Sequence, residues 1–208
     1  MLRLILLRHG EVDNPKKVFY GRSLDIPLNN IGRDQIKSIA NKIVLLPFQV
    51  TTIYSSPLLR AMQTAEIVSK KLGLTIIPIE DLMDVHIPAL VGKPISIRKE
   101  LHAKGEDEYE GLWVEKGNEK RNNIKERVMK VFKHIKDKNR AGIPLIVSHG
   151  DPLICLLFSL ENPDKALPRI GELKKNGYGI KKGCAVILQF NDQGNIEKKE
   201  ELNSKDNQ

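Results

Sequence analysis

A chain of 208 residues that is 40% hydrophobic and 29% charged has the size and balance of one soluble globular domain with a real core. Its 34 Lys plus Arg against 26 Asp plus Glu leave a formal charge of +8, which admits nucleic acid, a membrane surface or small anions as partners. Five Phe, four Tyr and one Trp, with no stacking pattern, zinc spacing or arginine-rich run, exclude a nucleic-acid module, and no apolar segment approaches the length of a membrane span.

The chain opens on Leu4-Ile5-Leu6-Leu7, which predicts a buried strand closing on the turn Arg8-His9-Gly10. This apolar start is too short for a signal peptide and contains Arg3, so the expected setting is the cytoplasm. Residues 10–30 form a turn-rich loop holding Asp13-Asn14-Pro15, Gly21-Arg22 and Asp25-Ile26-Pro27. Asn29 or Asn30 caps a helix over 31–46, where Ile36, Ile39, Ala40 and Ile43 recur at helical spacing. Thr52 to Ser55 predicts a second strand, and Pro57 then sits near the first turn of a helix over 58–72. Leu74 to Ile79 is a third strand. Residues 80–118, rich in Gly and Pro, are the least regular part.

A long helix follows over 119–138, with Ile124, Val128, Val131, Phe132 and Ile135 on one face. Strand 144–148 leads through Ser148-His149-Gly150 into a helix over 152–160. Residues 161–183 read as loop, and the last strand covers 184–190. Cys155 and Cys184 lie inside apolar runs and read as buried, reduced thiols. The lysines over 116–138 and 174–182 read as solvated faces. Strands alternating with helices give an α/β fold: a single three-layer sandwich, its central sheet mostly parallel, with helices on both faces. One domain spans 1–202, and 203–208 form a frayed polar tail.

Both histidine turns close strands, and open α/β sheets place ligand sites at the carboxyl ends of their strands. Phosphoryl transfer needs a nucleophile in line with phosphorus, fixed positive charge on the non-bridging oxygens and a proton for the leaving oxygen. A neutral imidazole is a competent nucleophile, and the adjacent Arg8 favours that form by opposing imidazolium charge. Arg60, just inside a helix that follows a strand, can meet Arg8 on one phosphate from a second direction.

Arg8-His9-Gly10, the stretch Ser55-Ser56-Pro57-Leu58-Leu59-Arg60-Ala61-Met62-Gln63-Thr64-Ala65-Glu66 and Val147-Ser148-His149-Gly150 together resemble the histidine phosphatase superfamily, over residues 3–190. Asp25-Ile26-Pro27-Leu28, with Gly32 four residues on, is similar to a further family motif. The resemblance implies that His9 becomes a phosphohistidine and that Arg8, Arg60 and His149, protonated or as a neutral donor, complete the phosphate pocket. Asn14 is the residue nearest to a family asparagine that touches the phosphate, offset by one position, and Gly150 would supply backbone donors. Many members carry their general acid as a glutamate after Leu-Arg; here Leu82-Met83-Asp84 makes Asp84 the candidate, with Asp81 and His86 behind it. Gly117-Asn118-Glu119-Lys120 resembles the family's Gly-Glu-Ser helix start, with Lys120 replacing serine.

The expected activity is metal-independent hydrolysis of a small phosphomonoester, with no cofactor and no nucleic-acid or membrane partner. A phosphoglycerate mutase of the same fold and a weakly active phosphate-binding or interaction module are the alternatives. Specificity is expected from 80–118 and 161–183, whose lysines favour multiply anionic substrates. Oligomeric state is not legible in the sequence.

Overall fold

The computed structural model describes residues 2–22, 25–139 and 142–204. Its strands are β1 (Arg3–Arg8), β2 (Thr52–Ser55), β3 (Ile76–Pro78), β4 (Pro144–Ser148), β5 (Ala185–Phe190) and β6 (Ile196–Leu202). They form one sheet in the order β3-β2-β4-β1-β5-β6. The pairings β2 with β3, β2 with β4 and β1 with β4 are parallel; β5 and β6 run antiparallel. The helices are α1 (Asn30–Val44), α2 (Leu59–Leu72), α3 (Ile97–Ala103), α4 (Gly111–Glu115), α5 (Arg121–Lys138), α6 (Gly150–Glu161) and α7 (Ile170–Lys175).

Alternation along β1 divides the core. Ile5 and Leu7 point to one face, where they pack with Ile36, Ile39 and Ile43 of α1 and Ala61, Ala65 and Val68 of α2. Leu4 and Leu6 point to the other, where Val128 and Phe132 of α5 and Leu153 and Leu157 of α6 cover the sheet. The three-layer α/β sandwich expected from the alternation of elements is therefore the observed one.

The chain leaves β1 through α1 toward β2, and leaves β4 through α6 toward β5, on opposite faces and in opposite directions along the sheet. Where crossovers diverge, the strand ends open a crevice. Here that crevice lies between β1 and β4.

Five elements depart from expectation. α6 begins at Gly150 rather than 152, so His149 is its N-cap residue. Two helices, α3 and α4, and a third, α7, are short segments in stretches read as irregular; at five to seven residues they carry too few turns to show a helical period. β6 was not expected at all. Its sequence, Ile196-Glu197-Lys198-Lys199-Glu200-Glu201-Leu202, is exposed along most of its length at the sheet edge, where charge blocks further strand pairing. Asn203 and Ser204, expected to fray, offer their carbonyls to Lys42 and Ser38 of α1; the rest of that tail, 205–208, lies outside the described residues.

Two glycines let the first histidine turn meet the start of α1. A Cβ on Gly10 would stand 2.5 Å from the Gly32 carbonyl oxygen, and one on Gly32 would stand 2.0 Å from the Glu11 oxygen. Backbone presses on backbone, and neither can yield. Asn29 caps α1 by accepting from the Gly32 N–H at 2.8 Å. Gly32→Ala should therefore cost about 3 kcal/mol, the upper end for overpacking, read as a lower urea midpoint at unchanged slope.

Candidate active site

Strand register brings the two histidine turns together. Arg8 pairs with Ser148 across β1 and β4, the His9 N–H donates to the Ser148 carbonyl at 3.1 Å, and Ser55 of β2 pairs with Val147. Three neighbouring parallel strands therefore deliver His9, Ser56 and His149 to one edge. The imidazole rings of His9 and His149 lie 5.1 Å apart, and both are fully buried.

His9 Nδ1 stands 2.8 Å from the Gly10 carbonyl oxygen. A carbonyl only accepts, so Nδ1 carries the hydrogen and donates it. Burial, His149, Arg8 and Arg60 all hold His9 well below the ordinary histidine value of 6.5. At neutral pH the ring is therefore uncharged, with a free lone pair on Nε2. These are the two conditions for a nitrogen nucleophile.

His149 Nε2 meets the Ser56 hydroxyl at 2.8 Å, while its Nδ1 is buried without a hydrogen-bond partner, 3.7 Å from Asp84 Oδ2. Burial first, then Arg60 and Arg8, push this histidine well below 6.5. Between the protonated and neutral-donor forms, the neutral form fits: Ser56 donates to Nε2, leaving Nδ1–H to donate to a substrate.

The depressed values have a stability consequence. Below about pH 6.5 the unfolded chain takes up protons that the folded histidines refuse, so stability present above that pH is lost as pH falls toward the folded values. The slope should reach about 1.4 kcal/mol per pH unit for each histidine. Urea unfolding between about pH 7 and 5 tests this, and His149→Asn should make the slope shallower. The acid limb of kcat/KM should likewise lie below 6.5.

The Arg60 motif has a structural reading at almost every position. Ala61 and Ala65 are fully buried, which lets α2 lie close on the sheet. Gln63 accepts from the Leu28 N–H at 2.8 Å, and the Thr64 hydroxyl accepts from the Gly10 N–H at 3.3 Å, so α2 holds both the loop and the first histidine turn. Arg60 is 1% exposed; its Nη2 donates to the Gly21 carbonyl and to Asp84 Oδ2, each at 2.9 Å, and its guanidinium lies over the Tyr20 ring. Arg8 donates to the Ile180 carbonyl at 2.9 Å. A Cβ at Gly150 would come within 3.0 Å of that guanidinium, so glycine is what lets Arg8 lie there. The Nε atoms of Arg8 and Arg60 are buried without a hydrogen-bond acceptor. Two arginine Nε–H groups and His149 Nδ1 thus await an acceptor around His9.

A cavity of about 320 Å³ is lined among others by Arg8, His9, Asp84 and Gly150; Arg60 and His149 are not part of that lining. Asp84 Oδ1 accepts from its neighbour's N–H at Val85, and Oδ2 faces Arg60 and His149. Of the two reserve acids, Asp81 faces Lys130 on the outside and His86 is exposed; neither lines the cavity. Asn14 does not line it either. Both ends of its side-chain amide are used within its own loop, donating to the Val18 carbonyl at 2.9 Å and accepting from the Val18 N–H at 3.2 Å. In this arrangement Asn14 closes a turn.

Sequence reasoning missed the brace behind Asp84. Arg127 on α5 donates to the carbonyls of Asp81 and Met83, Arg22 donates to that of Asp84, and both arginines pair with Glu119. Ser148 adds a hydroxyl bond to the Leu82 carbonyl at 2.7 Å. Glu119 was visible only as a partial motif, and its work is to hold two arginines. Arg98, Lys174 and Lys182, which line the cavity, stood in segments with no motif to mark them. The stretch 174–182 is thus a cavity wall at two positions rather than a wholly solvated face. Among the described residues, no group of three or more His, Cys, Asp or Glu side chains is placed to hold a metal ion, and no helix is long and apolar enough to cross a membrane.

The chain is similar to known proteins over most of its length. The model of the histidine phosphatase superfamily (branch 1) matches residues 4–195. The probable phosphoglycerate mutase GpmB of Photorhabdus laumondii is 31% identical over 165 residues, which cover 77% of this chain and 75% of GpmB. Phosphoglycerate mutase-like protein 4 of Arabidopsis thaliana is 28% identical over 153 residues, 71% of this chain and 66% of the plant protein. Bacillus stearothermophilus YhfR superposes with a TM-score of 0.77 at 25% identity, covering 95% of each chain. A mycobacterial glucosyl-3-phosphoglycerate phosphatase superposes with a TM-score of 0.75 at 22% identity, covering 98% of each, and shows the same fold.

Proposed function

The chain belongs to the histidine phosphatase superfamily, and we propose that it hydrolyses small phosphomonoesters in the cytoplasm without a metal ion, through a phosphohistidine on His9. The observation that carries this reading is the His9 Nδ1–H bond to the Gly10 carbonyl, beneath arginine and histidine nitrogens that have no protein acceptor.

In the first step the Nε2 lone pair of His9 forms a bond to phosphorus as the ester P–O bond breaks. Asp84 gives a proton to the leaving oxygen. Arg8, Arg60 and the His149 Nδ1–H donate to the equatorial oxygens, where preorganised donors contribute most of the transition-state stabilisation. The phosphoryl group takes the place on Arg60 that Asp84 occupies at 2.9 Å, which frees the carboxyl to face the leaving oxygen. In the second step a water oxygen attacks phosphorus, the N–P bond breaks and Asp84 takes the water's proton. Phosphate leaves and both residues return to their starting forms. Two free, buried cysteines, Cys155 and Cys184, fit a reducing compartment.

A second reading, transfer of the phosphoryl group back to a product as in a mutase, is favoured by the names of the relatives. One assay separates the two: phosphate release and isomerisation are followed together on phosphoglycerate with its bisphosphate present, and without added metal. Hydrolysis predicts that release outpaces isomerisation and persists in chelator. The reverse ratio establishes the mutase.

A further inference from the structure

Beyond the phosphate clamp, the cavity carries three more cations, and each is already neutralised. Lys174 Nζ lies 2.6 Å from Asp151 Oδ1. Arg98 reaches Asp151 Oδ2 at 3.0 Å and Glu108 Oε1 at 2.5 Å. Lys182 Nζ lies 2.5 Å from Glu11 Oε1. The Tyr109 hydroxyl also donates to Asp151, so one carboxylate on α6 ties together α3, α7 and the loop before α4. Asp151 and Glu108 are buried, and Lys174 with Arg98 holds the Asp151 carboxyl far below the usual carboxylate range. A second anion on the substrate would have to compete with the buried carboxylates of Asp151 and Glu108 for Lys174 and Arg98, or with half-exposed Glu11 for Lys182, and weakening the buried pairs is unfavourable. It would also face Asp84 and Asp151 in the cavity lining. Much of the remaining wall is Val18, Phe19, Val85, Ile87 and Ile95.

We propose that the leaving-group side of this cavity takes an apolar, uncharged alcohol, so that the substrate is a phosphomonoester with no second anionic group. The inference rests on the hydrolase reading above, and it reverses the expectation drawn from the lysines of 80–118 and 161–183. The carboxylates that pair with Lys174 and Lys182, Asp151 and Glu11, come from other segments of the chain.

The test measures phosphate release by wild type and His9→Ala on esters of alkyl leaving groups: hexyl phosphate and benzyl phosphate against phosphoglycerate and a hexose bisphosphate. The expected result is a His9-dependent kcat/KM at least about tenfold higher for the two uncharged leaving groups. Glu11→Gln, which frees Lys182 at a half-exposed pair, should narrow that ratio about threefold by offering a cation to the second anion. A His9-dependent preference for phosphoglycerate or the bisphosphate, or a ratio unmoved in Glu11→Gln, overturns the inference alone. Loss of His9-dependent release from every ester overturns the hydrolase reading and the inference with it.

Discussion

His9→Ala is expected to lower kcat by at least ~10⁴-fold, on the scale seen when a covalent nucleophile is removed. The loss should be uniform across esters, since every substrate passes through the same N–P bond. Rapid quenching of wild type with radiolabelled substrate should trap a phosphoprotein stable to alkali and labile to acid, as phosphoramidates are, and the variant should trap none. His9 is only 1% exposed, so circular dichroism and the urea midpoint establish that the variant is folded. Label retained in His9→Ala, at another residue, removes the mechanism.

Asp84→Asn separates proton donation from positioning. A general acid contributes ~10²–10⁴-fold, and it does so in proportion to how badly the leaving oxygen needs a proton. Release from hexyl phosphate should therefore fall ~10²–10⁴-fold, while 4-nitrophenyl phosphate, whose leaving group departs as a stable anion, should lose less than ~10-fold. The amide keeps an oxygen for Arg60 and leaves the brace from Arg22 and Arg127 untouched, because that brace grips backbone carbonyls. An equal loss on both esters would mean that Asp84 acts by holding Arg60, and the proton donor must then be sought elsewhere.

The glycine and pH predictions address the scaffold that makes these two possible. Gly32 matters because two backbones meet at the turn that aims His9. The depressed histidines matter because the same burial that removes their charge makes them a liability in acid.

The layers of the fold were legible because burial imposes a period. β1 and β4 read as short apolar runs, α1 and α5 as amphipathic stripes, and each fell within a few residues of its observed bounds. β6 was not legible, since an exposed edge strand made of Glu and Lys carries no period of hydrophobicity. Among site residues, His9, Arg8, Arg60, His149 and Gly150 sit in compact motifs because each is delivered by a strand end or a first helical turn, where local sequence sets local geometry. Asp84 was approachable only through a partial match, Leu82-Met83-Asp84, and Asn14 only through an offset position, which says nothing about which way an amide faces.

Residue order alone disclosed the chemistry available: two histidines and two arginines at positions where strands end and helices begin. Their relations in space came from the packing of the fold. Register between β1 and β4 set the two histidine rings 5.1 Å apart, and burial made both neutral. It also decided the charge of the cavity, because Lys174 with Asp151 and Lys182 with Glu11 are ion pairs between segments far apart in the chain. Electrostatic energy depends on distance in space, and a count along the chain contains no such distance.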